Sequence, residues 1–209
     1  MANILAVHSV GASLATYLTN AYPAALRARH PASFRLMSAQ EMNQADELGT
    51  TLSLFLYRVT VNEHLRNVRP PNVRQTENAP LSLDLHFLLS VWADGALAEH
   101  TLLAWAMREL YLHPVLSVSS LSPEAEWDAA DAVQIVPAEL SNEDLMRIWD
   151  ALIPPYRLSV SYIARMVRID SERIPDGLPV VASRLSFEPA LSSTLLSETL
   201  LSAAAEAVP

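Results

Sequence analysis

The chain has 209 residues, 51% of them hydrophobic and 18% charged, a length that suits one well-buried domain. Its formal net charge of −9 argues against general nucleic-acid binding, which needs clustered positive charge. All 14 basic residues are arginine and there is no cysteine. This composition excludes a Schiff-base or P-loop lysine, a thiol nucleophile, a disulfide framework and a cysteine-based zinc site.

The first 26 residues contain no acidic residue, lysine or arginine. Two stripes recur there at helical spacing: a neutral polar one, Ser9, Ser13, Thr16 and Asn20, and an apolar one, Ile4, Val7, Leu14 and Leu18. The segment lacks the positive start of a signal peptide, and it is too polar for a bilayer span, which needs about 20 strongly apolar residues. It predicts a packed amphipathic helix. Because even its polar side is uncharged, we expect cover on two sides, as at a subunit interface.

The elements are predicted from hydrophobic period, turn residues and caps. In chain order they are a helix from about Asn3 to the Pro23 region, strands 33–38 and 50–62, loop 63–80, strand 81–93, helix 97–113, an extended segment 114–121, an acidic loop 122–131, strand 132–137, helix 141–152, and strands 156–171 and 180–189. Ser141 is predicted to cap the third helix, which opens with two acidic residues at the positive end of its dipole.

This order of elements lacks the regular alternation of strand and helix that marks a parallel sheet. It therefore predicts an α+β fold: a single domain over residues 1–188 with a mixed, largely antiparallel sheet and helices packed on one face. Residues 189–209 are rich in Ala, Ser and Leu and are predicted to be a C-terminal tail able to form a helix.

Asp84 and His86 stand two residues apart in "PLSLDLHFLLSVW" and would share one face of a strand. The apolar set Leu81, Leu83, Leu85, Phe87 and Leu89 alternates with Ser82, Asp84, His86 and Leu88. A metal-dependent hydrolase built on Asp84, His86 and His100, with His64 as a further metal ligand, is one hypothesis. The chain has none of the usual nucleophile, zinc-helix or phosphate-loop motifs, so a structural or interface role for the pair is favoured.

The segment "LRNVRPPNVR" concentrates positive charge in a proline-stiffened loop of an acidic protein. Its candidate partner-binding residues are Arg66, Asn67, Arg69 and Arg74. The loop is either simply solvated or a docking arm whose guanidinium groups meet carboxylates on a partner. In an assembly of identical subunits, such an arm could reach the acidic 122–131 loop of a neighbour.

The strand at 156–171 alternates until Met166, where the apolar phase flips. Such a flip indicates a β-bulge or a change of partner surface. Arg157, Arg165 and Arg168 are predicted to point outward, to form a charged sheet edge and to be candidate partner contacts.

Four phrases together resemble the tail-terminator, or cap, proteins of contractile injection systems, the family typified by the caps of antifeeding-prophage and virulence-cassette particles. They are "LFLYRVTVNEHLRN" (54–67), "LSLDLHFLLSVWA" (81–93), "EHTLLAWAMRELYLHPVLS" (99–117) and "PYRLSVSYIARMVRIDS" (155–171). The phrases occur in the family's order, although none of them is a catalytic signature.

The resemblance implies a structural protein without enzymatic activity or cofactor, with a fold similar to phage tail terminators. It implies a ring, expected to be a hexamer, that closes the distal end of tube and sheath, stops polymerisation and anchors the last sheath layer. The expected partners are further copies of the chain and the tube and sheath proteins, with no nucleic acid and no membrane insertion. Assembly would take place in the cytoplasm, as part of a phage-tail-like particle. An adaptor or assembly module is the alternative.

Overall fold

A computed structural model describes residues 2–44, 49–62 and 80–169 of the chain. The helices are α1 (Ala6–Ala21), α2 (Ala24–Arg29), α3 (Ala39–Met42), α4 (Ala96–Leu112) and α5 (Asn142–Asp150). The strands are β1 (Ser33–Met37), β2 (Thr51–Val61), β3 (Leu81–Trp92), β4 (Val115–Ser117), β5 (Ala132–Pro137) and β6 (Ser159–Ile169). The last predicted strand, 180–189, and the boundary at residue 188 lie outside the described residues.

The six strands form one sheet in the order β1-β2-β3-β6-β5-β4. β1 pairs with β2 in parallel, and the other neighbouring strands are antiparallel. The mixed, largely antiparallel sheet of the predicted α+β fold is confirmed. β6 lies between β3 and β5, so the prediction of a charged edge along this strand is wrong. The long-range pairing of β6 with β3 places it in the interior of the sheet.

The first face of the sheet is covered by α1 and α4, and this layer holds the larger apolar core. β3 contributes Leu85, Phe87 and Leu89, all almost fully buried, as the period-two pattern predicts. At one end of this core the ring of Tyr22 packs edge-on against those of Phe34 and Trp105, with centroids 5.3 and 4.8 Å away. α1 and α4 are also joined by a hydrogen bond of 2.8 Å from the Tyr17 hydroxyl to Glu109.

The second face is also covered, which corrects the prediction of helices on one face only. A smaller apolar cluster is formed there by Met37, Met42, Leu88, Trp92 and Trp149. Leu88 and Trp92 project from β3 away from the larger core, and Trp149 of α5 packs over them with its ring 6.0 Å from that of Trp92. Two large apolar side chains on the otherwise polar side of β3 require this second layer.

Two helices, α3 and α5, have a serine side chain as their N-cap. The Ser141 hydroxyl accepts a hydrogen bond from the Asp144 amide at 3.0 Å, so the predicted cap of α5 is confirmed. Ser38 and Glu41 form a reciprocal capping box at α3, and the resulting hydrogen bonds from Ser38 lower the pKa of the Glu41 carboxyl.

The neutral polar stripe of α1 is covered in part by this same chain. Ser9 and Ser13 are 0% and 2% exposed. The Ser13 hydroxyl accepts from the Ser122 amide at 2.7 Å, and the Ser9 hydroxyl accepts from the Trp127 indole N–H at 2.9 Å. Thus the N-terminal half of the stripe needs no second subunit, while Thr16 and Asn20 are exposed. Among the described residues, no helix has the length and apolarity to cross a bilayer.

Ser13→Ala should lower the free energy of unfolding by about 1–2 kcal/mol, because the Ser122 amide loses its acceptor in a site with little access to water. Urea denaturation followed by tryptophan fluorescence measures this change. Thr16→Ala, on the exposed part of the same stripe, is the matched control and should change stability by less than about 0.5 kcal/mol. Equal effects of the two substitutions would contradict the buried hydrogen bond between Ser13 and Ser122.

Candidate partner-binding surface on the sheet

The second face of the sheet has a covered half and an open half. Leu88, Ser90 and Trp92 at the end of β3 are buried. Towards the start of β3, in contrast, the side chains on this face are polar. We call this half the arginine face and define it by Arg58, Asp84, His86, Arg165 and Arg168.

The strand pairing explains why these residues meet. Arg58 of β2 is the cross-strand partner of His86 in β3. Arg165 follows the buried core residue Ala164 and therefore points to the opposite face, where it lines one groove together with Arg58 and His86. Arg168 pairs across β6 and β3 with Ser82.

Asp84 holds a β-bulge. Between paired positions the register leaves one residue of β3, Asp84, opposite two residues of β6, Arg165 and Met166. Met166 has a φ of 66°, in the left-handed region, and its amide donates a 3.2 Å hydrogen bond to the Asp84 carboxylate. The Asn62 side-chain amide donates to both oxygens of the same carboxylate at 3.2 Å. The phase flip at Met166 is thus a bulge, one of the two readings of that pattern, and Asp84 stabilises its strained backbone.

His86 makes a separate set of contacts. Its Nε2 lies 3.1 Å from the Thr60 hydroxyl, and its ring meets that of Tyr57 edge-on at 5.9 Å. Partial burial, together with the positive charges of Arg58 and Arg165, lowers the pKa of His86, and the Asp84 carboxylate opposes this shift. A neutral imidazole between two guanidinium groups is therefore the favoured form near neutral pH.

The histidines of the hydrolase hypothesis are not brought together. His86 lies on the second face, whereas His100 is exposed on α4, which packs on the first face. His64 lies outside the described residues. In the described part of the chain there is no group of three or more His, Asp or Glu side chains able to hold a metal ion.

A groove of about 760 Å³ runs between the arginine face and α5. Glu139 and Asp144 line its far wall, and Arg147 on α5 forms an ion pair with Glu143 at 2.6 Å. Arg58 and Arg165 are exposed and form no ion pair with any described residue. The β-sheet wall of the groove is thus basic, while the far wall, formed by α5 and the loop before it, carries the two carboxylates.

The other predicted arginines have different surroundings. Arg157 is half-buried, with its guanidinium 5.3 Å from the ring centre of Trp92, and so packs against the covered half of the face. Arg168 is half-buried, and its backbone carbonyl accepts from the Ala2 amide at 3.1 Å. Arg66, Asn67, Arg69 and Arg74 lie outside the described residues, so their role stays a prediction.

Arg58 is the member of the surface that the sequence analysis missed. The register between β2 and β3 shifts between Leu56 and Arg58, which leaves Tyr57 as an extra residue. The signal was available: Leu56 and Tyr57 are adjacent apolar residues, and such a pair breaks period-two alternation in the same way as the flip at Met166.

Residues 9–183 match the Pvc16 N-terminal domain family, and the chain belongs to this family. Its fold is similar to a cryo-EM structure of the sheath/tube terminator of an extracellular contractile injection system, PVC, in the extended state. That similarity has a TM-score of 0.54 at 18% identity and covers 96% of this chain and 70% of the other. A second similar fold is the anti-feeding prophage cap, a tube-terminating cap, with a TM-score of 0.55 at 16% identity over 90% of this chain and 67% of that one. No curated protein matches the sequence.

The charges around His86 predict opposite shifts in two variants. Arg58→Gln should raise the pKa of His86 by removing a neighbouring positive charge, and Asp84→Asn should lower it by removing the negative one. Histidine ring proton shifts followed by NMR against pH measure both. Arg29→Gln, on α2, is the control and should leave the pKa of His86 unchanged.

Because folding lowers the pKa of His86 below its unfolded value, the stability linked to this group is present above the unfolded pKa and is lost as the pH falls through the folded one. An unchanged pKa of His86 in both variants would contradict the placement of these three side chains.

Proposed function

We propose that the chain is a tail-terminator, or cap, subunit that closes the distal end of the tube and sheath of a contractile injection system. The observation that carries the proposal is membership of the Pvc16 N-terminal domain family over residues 9–183. The likeness of fold to a sheath/tube terminator and to a tube-terminating cap supports it. In this role the subunit stops polymerisation of the tube and anchors the last layer of the sheath.

The proposed role rests on contact and not on catalysis, with no cofactor required. Asp84, the best candidate for acid–base chemistry, is engaged by the Met166 amide and the Asn62 side chain, an arrangement that supports a bulge. His86 shares a hydrogen bond of 3.1 Å with the Thr60 hydroxyl, a contact that links the neighbouring strands β2 and β3. Polar residues that fix the shape of a sheet suit a subunit whose surface must match its neighbours.

We propose that the subunits form a ring, as a hexamer, through head-to-tail contacts between identical chains. Several large apolar side chains on the described surface support an assembly role. They include Leu97 and Tyr111 on α4, which are 74% and 79% exposed, and Ile4 and Ile153, which are 72% and 82% exposed. The ring would be built in the cytoplasm, where it would meet the tube and sheath proteins of the same particle.

The arginines are the proposed partner contacts. Arg165 and Arg168 belong to the arginine face, and Arg66, Asn67, Arg69 and Arg74 belong to the segment that joins β2 to β3. β2 ends at Val61 and β3 begins at Leu81, so the two strand residues that flank this segment lie at the end of the sheet that carries Arg168. Guanidinium groups suit this use because their planar geometry matches carboxylates in pairs of hydrogen bonds.

Deletion of the gene from a strain that makes the particles tests the proposal. Particles from the deletion strain should have abnormal tube lengths and should lose or shorten their sheath, because nothing ends the tube or holds the last sheath layer. Negative-stain microscopy measures particle length and sheath cover. Expression of the full chain in trans should restore the wild-type length distribution. Sheathed particles of normal length without the protein would contradict the proposal.

A further inference from the structure

The acidic loop 122–131 is held rigidly against α1. The Ser13 hydroxyl accepts from the Ser122 amide at 2.7 Å, the Asn3 amide donates to the Ala125 carbonyl at 2.9 Å, and the Trp127 indole donates to Ser9. Ala125 is fully buried in the core of the first face. The loop is therefore part of the packed body of the domain and presents its carboxylates from a fixed position.

The outer side of this loop is exposed and negative. The side chains of Glu124 and Glu126 are exposed, and the His8 ring, which is charged only when protonated, lies 3.7 Å from the Glu124 carboxylate. No ion pair with a described arginine is formed by either glutamate. Two carboxylates in an ordered loop thus have no permanent positive partner in the described part of their own chain.

The arginine face is the complementary surface. Arg58 and Arg165 are exposed, stand on β2 and β6 on either side of His86, and form no ion pair with any described residue. Because their backbone is fixed on paired strands, a partner that binds has only their side chains to order. The partner that such a pair favours is a carboxylate-bearing segment of fixed shape.

One chain cannot join its own two surfaces. The acidic loop is hydrogen-bonded to α1 on the first face of the sheet, and the arginine face lies on the second. We therefore propose that the acidic loop of one copy, through Glu124 and Glu126, docks on Arg58 and Arg165 of the next copy. The inference rests on the proposed function and deepens it by naming the two surfaces of the ring contact. A contact between different patches of identical chains is head-to-tail and continues until a ring closes.

The position of the docked acidic loop within the groove follows from the other charges that line the groove. Glu139, in the loop before α5, and Asp144 on α5 line the far wall and would repel an incoming glutamate. The loop of the neighbour is therefore expected along the sheet wall, near the arginines and His86. Docking of a carboxylate there raises the pKa of His86, opposite in sign to the shift in the single chain.

Charge swapping tests the contact directly. Variant A carries Arg58→Glu and Arg165→Glu; variant B carries Glu124→Arg and Glu126→Arg. In each variant both surfaces have the same sign, so each alone should self-associate roughly tenfold or more weakly than the wild type. An equimolar mixture should assemble again, because the acidic face of A accepts the basic loop of B and the basic face of B accepts the acidic loop of A. Sedimentation velocity of the full-length chains at low salt measures this.

A double variant, Arg29→Glu with Arg35→Glu, is the matched control: it reverses two exposed arginines on α2 and β1 and should assemble as the wild type does. Circular dichroism checks that every variant is folded. The inference is overturned by a wild type that stays monomeric at every concentration tested, by wild-type assembly of variant A or B alone, or by a mixture of folded A and B that stays monomeric. None of these results bears on the deletion phenotype, so failure of this contact and failure of the cap proposal are distinguishable.

Discussion

The structure depends on the central strand β3, which must satisfy two different environments along its length. Its first face is apolar from Leu83 to Val91 and is buried under α1 and α4. Its second face changes halfway, from Asp84 and His86 to Leu88 and Trp92. Burying the apolar half stabilises the fold, whereas burying the charged half would cost desolvation. As a consequence α5 covers one half, and the other half remains a polar surface.

Two irregularities of the strands then determine which side chains occupy that surface. The bulge at Arg165 and Met166 and the register shift at Tyr57 both re-phase strands next to β3. The shift at Tyr57 places Arg58 opposite His86, and the bulge places Arg168 opposite Ser82 on the same side of the sheet. At the bulge, the Asp84 carboxylate accepts a hydrogen bond from the Met166 amide. Asp84, which resembled half of a catalytic pair, thus stabilises the backbone of the bulge. Which charged side chains lie on this surface therefore depends on the backbone geometry of the two strands, and local hydrogen bonds maintain that geometry.

Local features of the chain were predictable from sequence, and long-range ones were not. Period-two alternation marked β3 and its buried face, a serine followed by acidic residues marked the start of α5, and a phase flip marked the place of the bulge. The position of β6 inside the sheet depends on its pairing with β3 and β5, which no local pattern of β6 contains. For the same reason the pattern of α1 could not show that residues 122–127 of this chain cover Ser9 and Ser13. Of the arginine face, the strand pattern of residues 156–171 indicates Arg165 and Arg168 but not Arg58, and their role in binding a partner stays a prediction.

The chain belongs to the Pvc16 N-terminal domain family, and its fold is similar to that of a sheath/tube terminator. Under the proposed function the chain occupies the end of the particle. Gold-labelled antibody against an epitope-tagged full chain, applied to intact particles and viewed by negative-stain microscopy, locates it. Label is expected at one end only, the distal end of the sheathed tube. Label distributed along the sheath, or particles of normal form that carry none, would contradict this position.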